Sequence, residues 1–321
     1  MNYAKPHLTY QQQVALLAQR GMVIGDAAAA AELLSTTGYY RLSGYWYPYR
    51  ELKPPNEPGR SDNFSPGTAL EHVLALYDMD RRLKLTVLDL IEQIEVAIRV
   101  RVGYVLGERD TYAHLDQRHL DGKFSRPPQH GGASRYEKWR RRIQEAQDRS
   151  TEDFVRHFRE FYDGRLPIWV VTEIMDFGLL SNLYAGAKRP DRDRIASELH
   201  VVDARGRGNG VALENWLRVL NYLRNICAHH SRLWNRNMTV QVATSHLAAI
   251  PLLRHLHTAE GSADRIYAPL CILGFILKTI APGLQWSTAI RKVLSSGLVA
   301  AKRDFNEMGF PPDWRTHDIW Q

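Results

Sequence analysis

An all-α fold is what this sequence predicts, on three observations. Apolar residues recur at threes and fours along most of its 321 positions. Stop and start signals such as Thr9, Gly21, Asp26 and Gly38 bracket those periodic stretches. No stretch shows the period-two alternation with Asn-Gly or Gly-Asn turns that announces a hairpin.

Taken in order, Thr9 is placed to cap a helix from Tyr10 to about Arg20, with Val14, Leu16 and Leu17 on its apolar side and Gly21 ending it. Asp26 starts a second short helix that runs through the alanines and Leu33-Leu34 to Gly38. The segment 39–50 gathers Tyr39, Tyr40, Tyr45, Trp46, Tyr47 and Tyr49 around Arg41, Ser43 and Gly44. A linker from Glu51 to Pro66 follows, marked by Pro54, Pro55, Pro58 and Gly59. Thr68 opens the longest helical pattern, to about Leu106, with Leu76, Leu83, Val87, Leu90, Ile91, Ile94 and Ile98 on its apolar side. After a loop rich in Pro, Gly and His (122–134), helices are expected at about 135–147, 151–162, 168–186, 192–199 and 213–228. Further ones near 243–257, 263–280 and 286–303 complete the chain. The proline-rich linker suggests an N-terminal helical arm and linker over 1–66, and a main helical domain over 67–321.

A hydrophobic share of 44% is enough for a sizeable core. Cys227 and Cys271 make neither a disulfide framework nor a zinc spacing, and His114, His119, His255 and His257 show no zinc-binding pattern, so no metal and no cofactor is expected. Residues 1–8 lack the charged-then-apolar layout of a signal peptide. The longest apolar run, Ile266 to Leu277, contains Pro269 and stops short of the ~20 residues a membrane span needs. A cytoplasmic protein that does not enter a membrane is the expectation.

The net charge of +7 and a pI near 9.4 suit a polyanionic partner such as RNA. Part of the excess is local. Arg135, Lys138, Arg140, Arg141, Arg142 and Arg149 outnumber Glu137, Glu145 and Asp148, with Trp139 among them. A solvated helix face and an RNA-backbone contact both fit that stretch.

The stretch from Asn215 to His230 has two faces. Trp216, Leu220, Leu223 and Cys227 form the core side, whereas Asn221, Asn225 and His229 make a row at four-residue steps with Arg224 beside it. Burying such a row is costly unless its members meet one another, a partner or a ligand. Imidazole exchanges protons near neutral pH, so His229 suits general acid–base work. The guanidinium of Arg224 suits a phosphate and the charge it gains in a transition state. Attack of a ribose 2′-hydroxyl on its own phosphate needs no metal and leaves a 2′,3′-cyclic end, and the leaving 5′-oxygen then also needs a proton donor. The competing reading makes His229 a cation at its helix C-terminus and Arg224 a surface ion pair.

Arg224-Asn225-x3-His229 resembles the Arg-x4–6-His signature of the HEPN superfamily of metal-independent ribonucleases. Its surroundings, from Trp216 through Asn221-Tyr222 to Leu233-Trp234-Asn235-Arg236, resemble the abortive-infection Abi family, AbiD/AbiF branch. Other blocks agree: Lys5-Pro6-x-Leu8-Thr9-Tyr10, Tyr39-Tyr40-Arg41-Leu42-Ser43-Gly44-Tyr45-Trp46, Tyr77-Asp78-x-Asp80-Arg81, Ile94-Glu95-x3-Arg99, Pro167-Ile168-Trp169, Phe177-Gly178-x-Leu180-Ser181 and Met308-Gly309-Phe310-Pro311-x-Asp313-Trp314. The resemblance implies phage defence by abortive infection and a HEPN-like helical bundle with an N-terminal arm and added C-terminal helices. It also implies Arg224 and His229 as catalytic residues, RNA as substrate, a homodimer and a structured noncoding RNA as a further partner. Holding such an RNA without cutting it is the alternative function, and an adaptor that senses phage through a partner chain is a third.

The supporting residues each have a plainer reading. Glu95 stands where an acidic residue of a neighbouring HEPN helix orients the Arg or His, yet Glu95 and Arg99 also make an ordinary i,i+4 pair. Asn225 is placed to orient His229 one turn on. His230 and Arg232 flank the motif and suit either assistance or solvent exposure. Arg41, with Arg140, Arg141 and Arg142, is a candidate phosphate contact, and the aromatics around Arg41 suit either base stacking or packing. Asp78 and Asp80, two apart on a helix, point to different sides and make no metal pair. In a homodimer, the apolar surface around Trp216 and Trp234 is the expected contact.

Overall fold

The computed structural model describes residues 6–258 and 262–321, so Lys5 of the first block lies outside it. In α1 (Tyr10–Gln19), Thr9 Oγ1 accepts from Gln12 N at 3.2 Å while Gln12 Oε1 accepts from Thr9 N at 2.8 Å, a reciprocal capping box. Asp26 caps α2 (Ala27–Thr37) through the backbone N–H groups of Ala28 and Ala29. Gly38, at φ 87°, ends α2 and starts α3 (Tyr39–Trp46). The aromatic segment is half core. Tyr45, Trp46 and Tyr49 are buried, whereas Tyr40 is 91% exposed.

The expected linker contains an antiparallel hairpin, which corrects the sequence reading. β1 (Arg50–Leu52) pairs with β2 (Arg60–Phe64), Arg50 lying opposite Phe64 and Leu52 opposite Arg60. Both strands are short and mostly exposed, so no apolar alternation announces them. Long-range bonds hold the hairpin: Phe64 N donates to Arg20 O, and Arg20 and Arg50 both pair with Asp62.

α4 (Leu70–Gly107) buries all seven apolar positions named from its periodicity. Asp78 and Asp80 do point apart. Asp78 pairs at the surface with Arg81 and Arg82. Asp80 is fully buried and accepts from Lys84 Nζ at 3.0 Å and Tyr45 Oη at 2.7 Å.

The chain divides into two compact units, Met1–Lys84 with Ile290–Glu307 and Leu85–Ala289 with Met308–Gln321. The division falls inside α4 rather than at Pro66. The first unit's core takes in the start of α4 and the end of α14 (Trp286–Ala301), as the Tyr45–Asp80 bond and the bond from Tyr49 Oη to Ala301 O show.

The second unit holds α5 (Gly122–Ser125), α6 (Arg135–Arg149), α7 (Asp153–Phe161), α8 (Ile168–Val171), α9 (Phe177–Gly186), α10 (Arg189–Glu198), α11 (Gly210–Ala228), α12 (His255–Thr258) and α13 (Tyr267–Ile280). Every residue from Tyr267 to Leu277 is buried, so the longest apolar run is a helix at the centre of this unit. Among the described residues no helix is long and apolar enough to cross a membrane. Tyr267, Phe310, Trp314 and Trp320 cluster at its start, which accounts for the aromatic block near the end of the sequence.

Two predicted helices are interrupted. The stretch 168–186 breaks at Met175 and Asp176, both extended, because Asp176 caps α9 by accepting from Leu179 N at 2.7 Å. The stretch 243–257 forms only 3₁₀ turns and the four-residue α12. There Pro251 forces Ile250 into extended geometry and ends any helix before it.

Candidate functional site

Asn209 starts α11 by accepting from Ala212 N at 3.0 Å. The helix buries Trp216, Leu220, Leu223 and Cys227, as its spacing predicts, and packs against α9, α10 and α13. Asn215 ties α11 to the later chain, accepting from Ala243 N and donating to Gln241 O.

The end of α11 is closed by its own main chain. His229 N donates to Asn225 O at 3.0 Å, His230 N to Cys227 O at 3.1 Å and Ser231 N to Ile226 O at 3.0 Å. This is a Schellman closure with His230 in the left-handed position, at φ 55°. Glycine is the usual occupant there, and a side chain costs about 1–2 kcal/mol. Beyond the turn, Leu233 and Trp234 are fully buried, and Arg265 Nη1 donates to Asn235 O and Oδ1. The exit of the helix is therefore anchored on both sides of His229.

Backbone donors satisfy the carbonyls of Asn225, Ile226 and Cys227, so their closure does not use the His229 imidazole. His229 is exposed, and Arg224 and Asn225 are half-buried. Among the described residues no hydrogen bond or ion pair engages the side chain of Arg224 or His229. His229 is the C-cap residue of α11, where the competing reading placed it, whereas the ion pair that reading gave Arg224 is not formed among the described residues. Asn225 reaches His229 through its main-chain carbonyl, not through the side-chain bond the sequence suggested.

Asn221, one turn before Asn225, lies against the first turn of α9. A Cβ placed on Gly178 would meet Asn221 Nδ2 at 3.5 Å, an ordinary contact, and Asp176 Oδ1 at a tighter 3.1 Å. Arg142 pairs with the same Asp176 at 3.1 Å. One residue earlier, Met175 O accepts from Arg99 Nη2 at 2.9 Å, and Arg99 also bonds Glu95 at 2.5 Å and pairs with Glu173 at 3.7 Å. Glu95 is thus held by Arg99, and no hydrogen bond or ion pair joins it to Arg224 or His229 among the described residues.

The other candidates are dispersed. Arg140 lines a cavity, Arg141 is exposed and Arg142 is tied to Asp176, so the three basic side chains do not form one face. Trp139 among them is buried, its Nε1 donating to Leu179 O. Arg41 is exposed on α3 of the first unit. Arg232 is half-buried beside the motif, and its carbonyl accepts from Arg236. Trp216 and Trp234 are fully buried and offer no surface to a partner, which corrects the dimer contact expected from them. The exposed apolar side chains of this unit include Val96, Val100 and Tyr104 at four-residue steps on α4, and Trp169.

Tyr222 escaped the sequence reading. Burial raises its pKa, but hydrogen bonds with Thr239 and Arg236 outweigh that and lower it. No local pattern could have signalled those partners. No group of three or more His, Cys, Asp or Glu among the described residues is placed to hold a metal ion.

The family model described as Abi-like protein matches residues 32–235, a span from α2 to just past the end of α11. No curated protein and no solved structure matches the chain.

Proposed function

The chain belongs to the Abi-like protein family, and from that premise we propose that it is a HEPN-type, metal-independent endoribonuclease acting in bacterial defence against phage. The family supports a role in abortive infection. The observation that carries the chemistry is the end of α11: a helix closed by its own backbone presents one guanidinium and one imidazole that no hydrogen bond or ion pair engages among the described residues.

In this reading Arg224 binds the scissile phosphate and stabilises the charge that builds on it. His229 takes the proton from the ribose 2′-hydroxyl, whose oxygen attacks phosphorus as the bond to the 5′-oxygen breaks. The products are a 2′,3′-cyclic phosphate and a 5′-hydroxyl, and the leaving 5′-oxygen requires a proton. A second copy of the chain, in a two-fold homodimer, supplies it from its own His229.

The test is to purify the protein, identify the RNA that accompanies it and ask whether that RNA is cut. Cleavage by the wild-type chain, lost in Arg224→Ala and in His229→Ala, supports the proposal. Retention of the RNA uncut by all three proteins supports a holding protein instead. Light scattering should report twice the 36.9 kDa chain mass. Mixed dimers with one His229→Ala subunit should have far less than half the wild-type activity, whereas half activity would mean that each chain carries a complete site.

A further inference from the structure

A second cluster of cationic groups lies apart from the end of α11, within the same unit. His114, in a 3₁₀ turn after α4, lines a cavity of about 330 Å³ together with Arg140 of α6, Arg159 of α7 and Arg165 from the loop after α7. Its walls are mainly polar, and Asp148 and Asp163 also face it.

Three features mark it as more than a surface crevice. First, His114 is only 2% exposed, and its Nδ1 is buried without a hydrogen-bond partner among the described residues. A buried polar atom in that condition costs about 1–3 kcal/mol, a cost the fold accepts to hold the ring at the cavity wall.

Second, none of the three arginines has a carboxylate within ion-pair distance among the described residues. By contrast, Arg142 and Arg156 on the same two helices are paired with Asp176 and Asp153. Arg159 turns its Nη groups to the carbonyls of Gln147, Asp148 and Ser150 at the end of α6, and so builds the wall. Arg165 lies over the Tyr112 ring at 4.3 Å. No protein acceptor is bonded to the guanidinium of Arg140 or Arg165 among the described residues.

Third, the groups converge. Burial, then the charges of Arg140 and Arg165, push the His114 imidazole down to about 3, which places both guanidiniums within electrostatic reach of one ring.

We propose that this cavity binds a phosphate monoester carried on a ribose, with the forks of Arg140 and Arg165 and the His114 imidazole taking the terminal phosphate oxygens. Three donors from three separate segments match the three terminal oxygens of a monoester better than the two of a carboxylate or of a bridging diester. The two aspartates, which repel a bare anion, suit the ribose hydroxyls as acceptors. The volume lies at the small end of the roughly 300–1,000 Å³ range of small-molecule pockets and exceeds what a lone phosphate needs. A free nucleoside 5′-monophosphate and the 5′-phosphorylated end of an RNA strand share this chemistry. The proposal stands independently of Arg224 and His229.

Calorimetry on the full chain tests it, with uridine 5′-monophosphate, uridine, and one oligoribonucleotide bearing either a 5′-phosphate or a 5′-hydroxyl as probes. The 5′-monophosphate or the 5′-phosphorylated strand should bind at one per chain, and the probe lacking the phosphate should bind at least about tenfold more weakly. Preference for the strand assigns an RNA end, and preference for the mononucleotide assigns a free nucleotide. Arg140→Ala and Arg165→Ala should each weaken binding by about tenfold or more, with circular dichroism unchanged. The Arg224→Ala/His229→Ala double variant should bind uridine 5′-monophosphate as wild type. Equal binding with and without the 5′-phosphate, or binding untouched by both arginine substitutions, overturns the proposal.

Discussion

Two Arg-containing pairs in the second unit are built from similar residues and kept in opposite states. On α4, Arg99 holds Glu95 at 2.5 Å, donates to Met175 O and pairs with Glu173, and both partners of the Glu95–Arg99 bond are largely shielded from water. On α11, Arg224 and His229 have no such partners among the described residues, and main-chain bonds close the helix end beside them. A polar pair that completes its own bonding serves the fold. In the function proposed above, a pair left open on a rigid support serves a ligand, because its donors need not be released before binding. The sequence alone, which placed Glu95 beside the motif, did not separate the two.

Substitution breaks that comparison most sharply at α11. Arg224→Ala and His229→Ala should each lower RNA cleavage by about 10²–10⁴-fold, the usual worth of a positioned acid–base or charge-stabilising group. Stability to denaturant should stay within about 0.5 kcal/mol of wild type, as for surface positions generally. A large loss of stability in either variant would mean that these side chains belong to the fold.

The converse holds on α4. Arg99→Ala removes the partner of a shielded carboxylate and a donor to Met175 O, so it should cost about 1.5–3 kcal/mol in urea unfolding. Cleavage should fall only in proportion to the folded fraction. A fully folded but inactive Arg99→Ala or Glu95→Gln protein would instead move this pair into the site.

Acid offers a third probe, since His114 and His255 are kept neutral by burial. Their pKa values are lowered to about 3 and about 4, respectively. Free imidazole binds its proton near 6.5, so between that value and the depressed ones the unfolded chain binds more protons than the folded chain. Stability is therefore unaffected by these groups above pH 6.5 and declines as pH falls toward 4. The limit is about 1.4 kcal/mol per pH unit for each imidazole. Melting temperature followed from pH 7 to pH 4 should show the decline, and His114→Phe should flatten part of it. An equally steep decline in that variant would assign the acid sensitivity elsewhere.

The smallest effect separates neighbours on α6. Arg141 is exposed and Arg142 is tied to Asp176. If Arg141 touches RNA backbone, Arg141→Ala should leave stability within about 0.5 kcal/mol and reduce the salt slope of RNA binding by about one. An unchanged slope would leave the solvated-face reading of this helix.

What the sequence reveals here is what is local. The caps at Thr9 and Asp26, the core side of α11 and the apolar run that becomes α13 follow from residues within a few positions of one another. The hairpin at 50–64 depends on Arg20 and Asp62, and the division inside α4 depends on a distant segment at 290–307. Neither leaves a local mark. The Arg224–His229 row is visible by spacing, but the Schellman closure that leaves it open hides behind a histidine where glycine is usual. Trp216 and Trp234 looked like interface residues because aromatic content does not reveal which way a ring points. The cavity at His114 joins three segments separated by loops, beyond the reach of any motif.

The central claim, that an open Arg–His pair cuts RNA without a metal, is tested most directly by the chemistry of the cut ends. The protein is incubated with its accompanying RNA in excess EDTA, and the 3′ ends of the fragments are analysed. The account predicts cleavage that EDTA does not inhibit, fragments ending in 2′,3′-cyclic phosphate, and intact RNA with His229→Ala. Cleavage that requires added magnesium, fragments ending in a 3′-hydroxyl, or undiminished cutting by His229→Ala would contradict it.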